Sequence, residues 1–172
     1  MLRSDLGPPV GTLFTSLGLA DAHLDQAVRA YRSFYDEHGL QRASVYPGVQ
    51  ELLDGLTERG LSLATATAKL TPVARAILER HGLAGYFPVV NGTDATHHTK
   101  TETLTRTLEL LGSPEPASVA MVGDRHSYIA AAQACGVVAI GVCWGYGTRE
   151  ELGATGAEHL VDSPAELLSL LT

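Results

Sequence analysis

The chain is 172 residues long, carries a formal net charge of −7 at pH 7 and contains two cysteines. This length suits one domain, or one core with a small appendage, that buries most of its apolar surface. The acidic balance, without a run of Lys or Arg, disfavours nucleic acid, and no apolar stretch approaches the roughly 20 residues that cross a bilayer. Cys135 and Cys143 lack CxxC spacing, and the first residues lack the layout of a signal peptide. We therefore expect a soluble, cytoplasmic protein with reduced thiols and no membrane partner.

The first two predicted elements are helices, each with one apolar stripe. The first begins at Asp21, a suitable N-cap, and ends near His38-Gly39; its apolar positions are Leu24, Ala27, Val28, Tyr31 and Tyr35. After the turn Tyr46-Pro47-Gly48, the second helix runs to Arg59-Gly60; its apolar positions are Val49, Leu52, Leu53 and Leu56.

The pattern then changes to short apolar runs bounded by Gly, Asp or Pro, which predict buried strands. These runs are LSLATAT (61–67), FPVV (87–90), ASVAMVG (117–123) and VVAIGV (137–142). HLV (159–161) suits a last short strand before a closing helix at 164–171. Helical stripes lie between the strands, and this alternation predicts an α/β fold with a parallel sheet covered on both faces. The boundary between the all-helical start and the α/β remainder falls near residues 44–48.

Polar residues follow these apolar runs, at the sheet edge where parallel strands present reactive groups. Thr67 ends the first run and precedes Ala68 and Lys69, Lys100 opens the helix after the second, and Asp124 directly follows the third. The hydroxyl and the ammonium suit phosphate oxygens, and the carboxylate suits a hard cation such as Mg²⁺. The three side chains together predict a phosphate site.

Each of these residues also has a structural interpretation. Thr67 could cap the following helix, and Lys100 taken alone is typical of a solvated lysine. His97 and His98 suggest a metal pair, although neighbouring residues diverge, which favours exposed polar histidines. WGYG (144–147) predicts a turn whose glycines allow positive φ.

At these residues the sequence resembles the haloacid dehalogenase-like hydrolases, and most closely their phosphoglycolate phosphatase-like branch with a helical cap. The segments that carry the resemblance, in the family's order, include LGPPVGTLFTSLGL, YPGVQELLDGLTERGLSLATATAK, HHTKTETL, MVGDRHSY and GVCWGYGTREEL. The resemblance implies a partial helical cap at residues 1–45 and a Rossmann-like α/β core at 46–172 that lacks its first strand.

The resemblance also implies the roles of the site residues. Thr67, Ala68 and Lys100 would bind phosphate, Asp124 would hold Mg²⁺, and Thr67, Lys100 and Asp124 would form the catalytic set for a small phosphorylated metabolite. In the family, an aspartate on the first core strand attacks the phosphate, and a second aspartate two residues later protonates the leaving group.

Two departures from the family pattern stand out. The DxDGT motif with its nucleophile is absent from these residues, and VGTLFTS (10–16) only faintly echoes the residues after that motif, because Val10 stands where the second aspartate would be. Tyr128 stands four residues after Asp124, where the family usually has another acid, and a phenol is a poor Mg²⁺ ligand.

The absent strand would lie between 61–67 and 117–123, which leaves a slot in the middle of the sheet. Unpaired buried backbone groups cost on the order of 1–3 kcal/mol each, so something is expected to fill or close the slot. The sequence leaves three candidates: a segment lost by truncation or a misplaced start, a strand from a second copy in a homodimer, or direct pairing of the two flanking strands.

Two functions of different class remain open. The first is a Mg²⁺-dependent phosphatase of this family, incomplete or impaired as the chain stands. The second is a catalytically silent protein that binds phosphate or a phosphorylated metabolite, which the absent nucleophile and Tyr128 favour. Dehalogenase chemistry is disfavoured because the motif set is closest to that of the phosphatases.

Overall fold

A computed structural model describes residues 10–34, 43–94 and 99–172 of the chain. The chain divides into two compact units, Met1–Ser44 and Val45–Thr172. His97, His98 and Tyr35, which the sequence analysis singled out, lie outside the described residues. Within the described part, no helix is long and apolar enough to span a bilayer.

The first unit contains two described helices, α1 (Val10–Ser16) and α2 (Asp21–Phe34). The ring of Phe14 meets that of Tyr31 edge to face, with centroids 6.1 Å apart. The prediction of a helix from Asp21 is confirmed as far as Phe34. The pattern gave no sign of α1, which occupies the segment that faintly echoes the residues after the family's first motif.

The second unit alternates strands and helices along the chain. Its helices are α3 (Val49–Glu58), α4 (Thr71–Arg80), α5 (Lys100–Leu110), α6 (His126–Cys135), α7 (Arg149–Ala154) and α8 (Pro164–Leu170). Its strands are β1 (Ala64–Leu70), β2 (Val89–Thr93), β3 (Ala120–Gly123), β4 (Val138–Val142) and β5 (His159–Val161). The α/β class predicted from the alternation is confirmed.

The described strands form two parallel sheets. One joins β1 to β2, and the other has the order β3-β4-β5. The parallel arrangement is as predicted, but the sheet is divided between β1 and β3, where the family resemblance places the absent strand. Direct pairing of β1 with β3, one of the three candidates for closing the slot, is not formed among the described residues.

Two core clusters cover the two faces of these strands. On β4, Ala139 packs in the cluster with α5 and α6, whereas its neighbour Ile140 packs in the cluster with α3 and α8. The first of these clusters reaches across the division: Ala66 of β1 contacts the cluster that contains Met121 of β3. One helical layer, formed by α5 and α6, therefore packs against both β1 and β3, although no backbone hydrogen bond joins these strands.

The strand boundaries differ from the predicted ones in a systematic way. The predicted strand 61–67 is observed at Ala64–Leu70, and the predicted strand 87–90 at Val89–Thr93. Leu61 and Leu63 pack against the core before pairing begins, while Leu70, beyond Thr67, continues the ladder opposite Thr93 after a register shift. An apolar run reports burial, whereas a ladder requires only backbone groups, so the two segments need not coincide.

Candidate active site

Asp124 follows β3 and is held by the loop between β4 and α7. The backbone N–H of Tyr146 donates to Oδ2 of Asp124 at 2.9 Å, and that of Gly147 donates to its carbonyl oxygen at 2.8 Å. A Cβ on Gly145 would lie 2.3 Å from Oδ2 of Asp124, and one on Gly147 would lie 2.1 Å from the Asp124 carbonyl oxygen. The turn at 144–147 is confirmed, but its glycines permit close approach rather than positive φ, which neither residue adopts.

Lys100 is the first residue of α5, as predicted. Thr99 caps this helix: its hydroxyl accepts from the N–H of Glu102 at 3.1 Å, and the Glu102 carboxylate accepts from the N–H of Thr99 at 2.9 Å. The half-buried Lys100 side chain reaches β1, where Nζ donates to the carbonyl oxygen of Ala66 at 3.0 Å. The interpretation of Lys100 as a solvated surface lysine is therefore wrong.

The edge of the sheet where Lys100, Lys69 and Asp124 lie forms the rim of the candidate site. The charge on Lys100 depends on its surroundings at this rim. Burial lowers the pKa of Lys100 to about 8; repulsion from Lys69 acts in the same direction, and attraction from Asp124 opposes both. Lys69 and Asp124 thus lie close enough to act on the ammonium group. The structure thus brings Lys100 to Ala66 of β1 and within electrostatic reach of Asp124 after β3, although no hydrogen bond joins these strands.

Thr67 lies within β1, opposite Gly92 of β2, and not at the end of the strand as predicted. Its hydroxyl accepts from the backbone N–H of Lys69 at 3.3 Å, and Leu70 occupies the cap position of α4. The alternative role of Thr67 as a helix cap is therefore not observed. The adjacent carbonyl oxygen of Ala68 accepts from the Thr93 hydroxyl at 3.1 Å, which ties the end of β1 to β2.

A carboxylate clamp next to Asp124 was not predicted from the sequence. Oε1 of Glu151, on α7, accepts from Nε of Arg125 at 3.1 Å and from the backbone N–H of His126 at 3.3 Å, and lies 2.9 Å from Nδ1 of His126. Burial alone would raise the pKa of Glu151, but the hydrogen bonds from His126 and Arg125 outweigh it and hold the pKa below its ordinary value. Arg125 is buried. Its position directly after Asp124 was the one feature of the sequence that could have pointed to this clamp.

Asp124 offers a carboxylate to a magnesium ion at this edge of the sheet. Among residues 10–34, 43–94 and 99–172, no group of three or more His, Cys, Asp or Glu side chains is placed to hold a metal. Mg²⁺ is commonly held by one or two carboxylates, with phosphate oxygens and water completing its octahedron. Asp124 fits the one-carboxylate form of such a site, and Tyr128 adds no second carboxylate.

Comparison with known proteins identifies the family. The family model described as haloacid dehalogenase-like hydrolase matches residues 2–142. The chain belongs to the haloacid dehalogenase-like hydrolases. The resemblance that the motifs carried is thereby confirmed.

Curated relatives of this haloacid dehalogenase-like hydrolase carry different names. It is 36% identical to the probable phosphatase IndB of Dickeya dadantii, over 97% of this chain and 75% of that protein. It is 35% identical to the tyrosine-protein kinase PtkA of Mycobacterium tuberculosis, over 87% of this chain but only 52% of that protein. It is 31% identical to the phosphoglycolate phosphatase of Vibrio vulnificus, over 89% of this chain and 68% of that protein. This last similarity supports the branch inferred from the sequence.

A solved structure extends the likeness to the fold. The crystal structure of a predicted phosphatase from Clostridium acetobutylicum has a TM-score of 0.93 and 31% identity, and the match covers 99% of this chain and 80% of that one. The Rossmann-like α/β architecture expected for a haloacid dehalogenase-like hydrolase is therefore confirmed.

Proposed function

We propose that this haloacid dehalogenase-like hydrolase is a phosphatase of the phosphoglycolate phosphatase-like branch that acts on small phosphorylated metabolites. The observation that carries the proposal is the placement of the half-buried Lys100 ammonium between Ala66 of β1 and the Tyr128 ring at the end of β3, within electrostatic reach of Asp124. Relatives named as phosphatases, of which the chain covers 75% and 68%, favour this function over a silent binding protein and over dehalogenase chemistry.

Each residue at the rim has a proposed part in this function. Lys100 donates hydrogen bonds to the phosphate oxygens and balances their charge, while the Thr67 hydroxyl and the Ala68 backbone amide orient the same group. Asp124 holds Mg²⁺, which when bound would neutralise phosphate charge. The aspartate nucleophile that the family uses is not assigned to any residue here, because no DxDGT motif occurs in the sequence.

Replacing Lys100 tests the proposed site directly. We expect Lys100→Ala to weaken the binding of inorganic phosphate by about 10- to 100-fold in calorimetry with Mg²⁺ present, since hydrogen bonds to charged groups contribute about 1.5–3 kcal/mol. Arg106→Ala is the matched control, because it removes a positive charge from an exposed position of the same helix. Equal phosphate affinity in the two variants would contradict the proposal.

Turnover is tested by joining a strand with the DxDGT motif to the amino terminus of the chain. The fused protein is expected to release phosphate from p-nitrophenyl phosphate and phosphoglycolate, and Lys100→Ala should abolish this release. Activity that survives the substitution would place catalysis elsewhere.

We further propose that the protein is cytoplasmic. We also propose that it associates as a homodimer, because a strand from a second copy could enter the divided sheet. Light scattering on the eluted chain should then give twice the 18.2 kDa of one copy. A mass of one copy across the accessible concentrations would rule the homodimer out.

A further inference from the structure

The side chain of Tyr128 packs directly on the backbone at the end of β3. A Cβ atom on Gly123 would lie 2.3 Å from Cβ of Tyr128 and 2.4 Å from its Cγ, so a side chain at position 123 would displace the ring. The backbone N–H of Tyr128 donates to the carbonyl oxygen of Arg125 at 3.0 Å within the first turn of α6. Gly123 and this turn together fix where the ring lies.

The face of the same ring contacts the ammonium group of Lys100. Nζ lies 4.2 Å from the ring centroid while it donates to the carbonyl oxygen of Ala66. This distance falls within the range of cation–π attraction, in which the negative ring face stabilises a cation. The ammonium is therefore held between β1, through a carbonyl oxygen, and α6, through an aromatic face.

Burial, Lys69 and the helix terminus disfavour the positive charge of Lys100, and Asp124 and the Tyr128 ring oppose them. Lys100 is half-buried at the amino-terminal end of α5, where the helix dipole is positive, and Lys69 repels it. The ring attracts the ammonium without adding a negative charge that would repel a phosphate. An ammonium has three N–H donors, and the carbonyl oxygen of Ala66 occupies one of them. The ring face thus leaves donors for phosphate oxygens, whereas a carboxylate at position 128 would compete for them.

We propose that Tyr128 is a positioning residue whose ring holds the Lys100 ammonium at the rim for an incoming phosphate. This inference rests on the proposed phosphate site and assigns position 128 a role different from that of the acid usual in the family. The ring itself is what positions Lys100, so Tyr128→Phe should retain the positioning role, whereas an aliphatic residue at position 128 should lose it.

The contact is tested first in the unaltered chain by NMR. Protons above an aromatic ring resonate upfield. The ε-methylene protons of Lys100 should therefore be shifted upfield of those of Lys69, the other lysine in the sequence. Tyr128→Phe should retain this shift and Tyr128→Leu should abolish it. Coincident ε-methylene resonances of the two lysines in the unaltered chain would overturn the proposal without any substitution.

The consequence for phosphate is measured by calorimetry with inorganic phosphate on the same proteins. Tyr128→Phe should bind within about twofold of the unaltered chain, and Tyr128→Leu about 3- to 10-fold more weakly, the range expected for a partly desolvated cation–π contact. Two outcomes would overturn the positioning role while leaving the phosphate site intact. One is that Tyr128→Leu binds phosphate as tightly as the unaltered chain; the other is that Tyr128→Phe binds phosphate as weakly as Tyr128→Leu. If the unaltered chain binds no phosphate, the proposed function fails and this inference fails with it.

Discussion

At the scale of single residues, Gly145 and Gly147 allow the loop after β4 to reach Asp124. Two backbone hydrogen bonds from this loop orient the carboxylate and its peptide group. The sequence pointed to a turn here and attributed its glycines to positive φ, because composition alone does not reveal which atom a glycine must approach. The close approach of the loop backbone to Asp124, which explains both glycines, exists only in the folded structure.

Gly145→Ala should disturb the carboxylate of Asp124 without altering its chemistry. The added methyl group would lie 2.3 Å from Oδ2, so the carboxylate or the loop must move. We expect weaker Mg²⁺ binding in calorimetry and a loss of about 1–3 kcal/mol in the free energy of unfolding, as is common for overpacking. Gly85→Ala is the control, because the added methyl group there meets no atom within 4 Å. Mg²⁺ binding by Gly145→Ala equal to that of the control would contradict the role of this loop.

At the scale of elements, the sequence predicted the order of strands and helices in the second unit but not all of their bounds. Apolar periodicity located the buried faces, and therefore the parallel βα pattern and the rim with Lys100 and Asp124. It did not predict α7, which is capped by the Thr148 hydroxyl through the N–H of Glu151 at 3.1 Å. It also gave no sign of the buried Asn91 on β2, whose side-chain amide donates to the carbonyl oxygen of Thr103 at 2.9 Å. Such polar contacts join residues distant in sequence and leave no local period.

The clamp between α6 and α7 should make stability depend on pH. Because the pKa of Glu151 is lowered in the folded chain, its stabilisation is fully present above the unfolded value near 4.5 and is lost as the pH falls through the lower folded value. Urea denaturation should therefore show Glu151→Gln less stable than the unaltered chain at pH 7, with the difference narrowing in acid. Glu150→Gln, at the exposed neighbouring position, should show no such trend. A difference for Glu151→Gln that stays constant down to pH 3 would argue against the ionised clamp.

At the scale of the second unit, the division between β1 and β3 separates the two sheets, while the layer of α5 and α6 packs against both of these strands. The sequence predicted where the division lies, because the motifs match the family on both sides of an absent strand. It left three ways to close the slot, and the described residues exclude direct pairing only. Periodicity records which side chains are buried and contains no information on which backbone groups lack a partner.

Hydrogen–deuterium exchange should make this division measurable amide by amide. In β4, which has a neighbouring strand on each side, N–H groups of both directions face an acceptor. In β3, as far as the described residues go, only the N–H groups directed towards β4 face a neighbouring strand. Short labelling should therefore leave Val138–Val142 protonated while about half of the amides in Ala120–Gly123 exchange. Equal protection of the two strands would mean that β3 has a partner on both sides. A strand that enters between the two sheets would slow the exchange of the fast amides of β1 and β3 together. The exchange rate of these few amides therefore reports whether the slot is occupied.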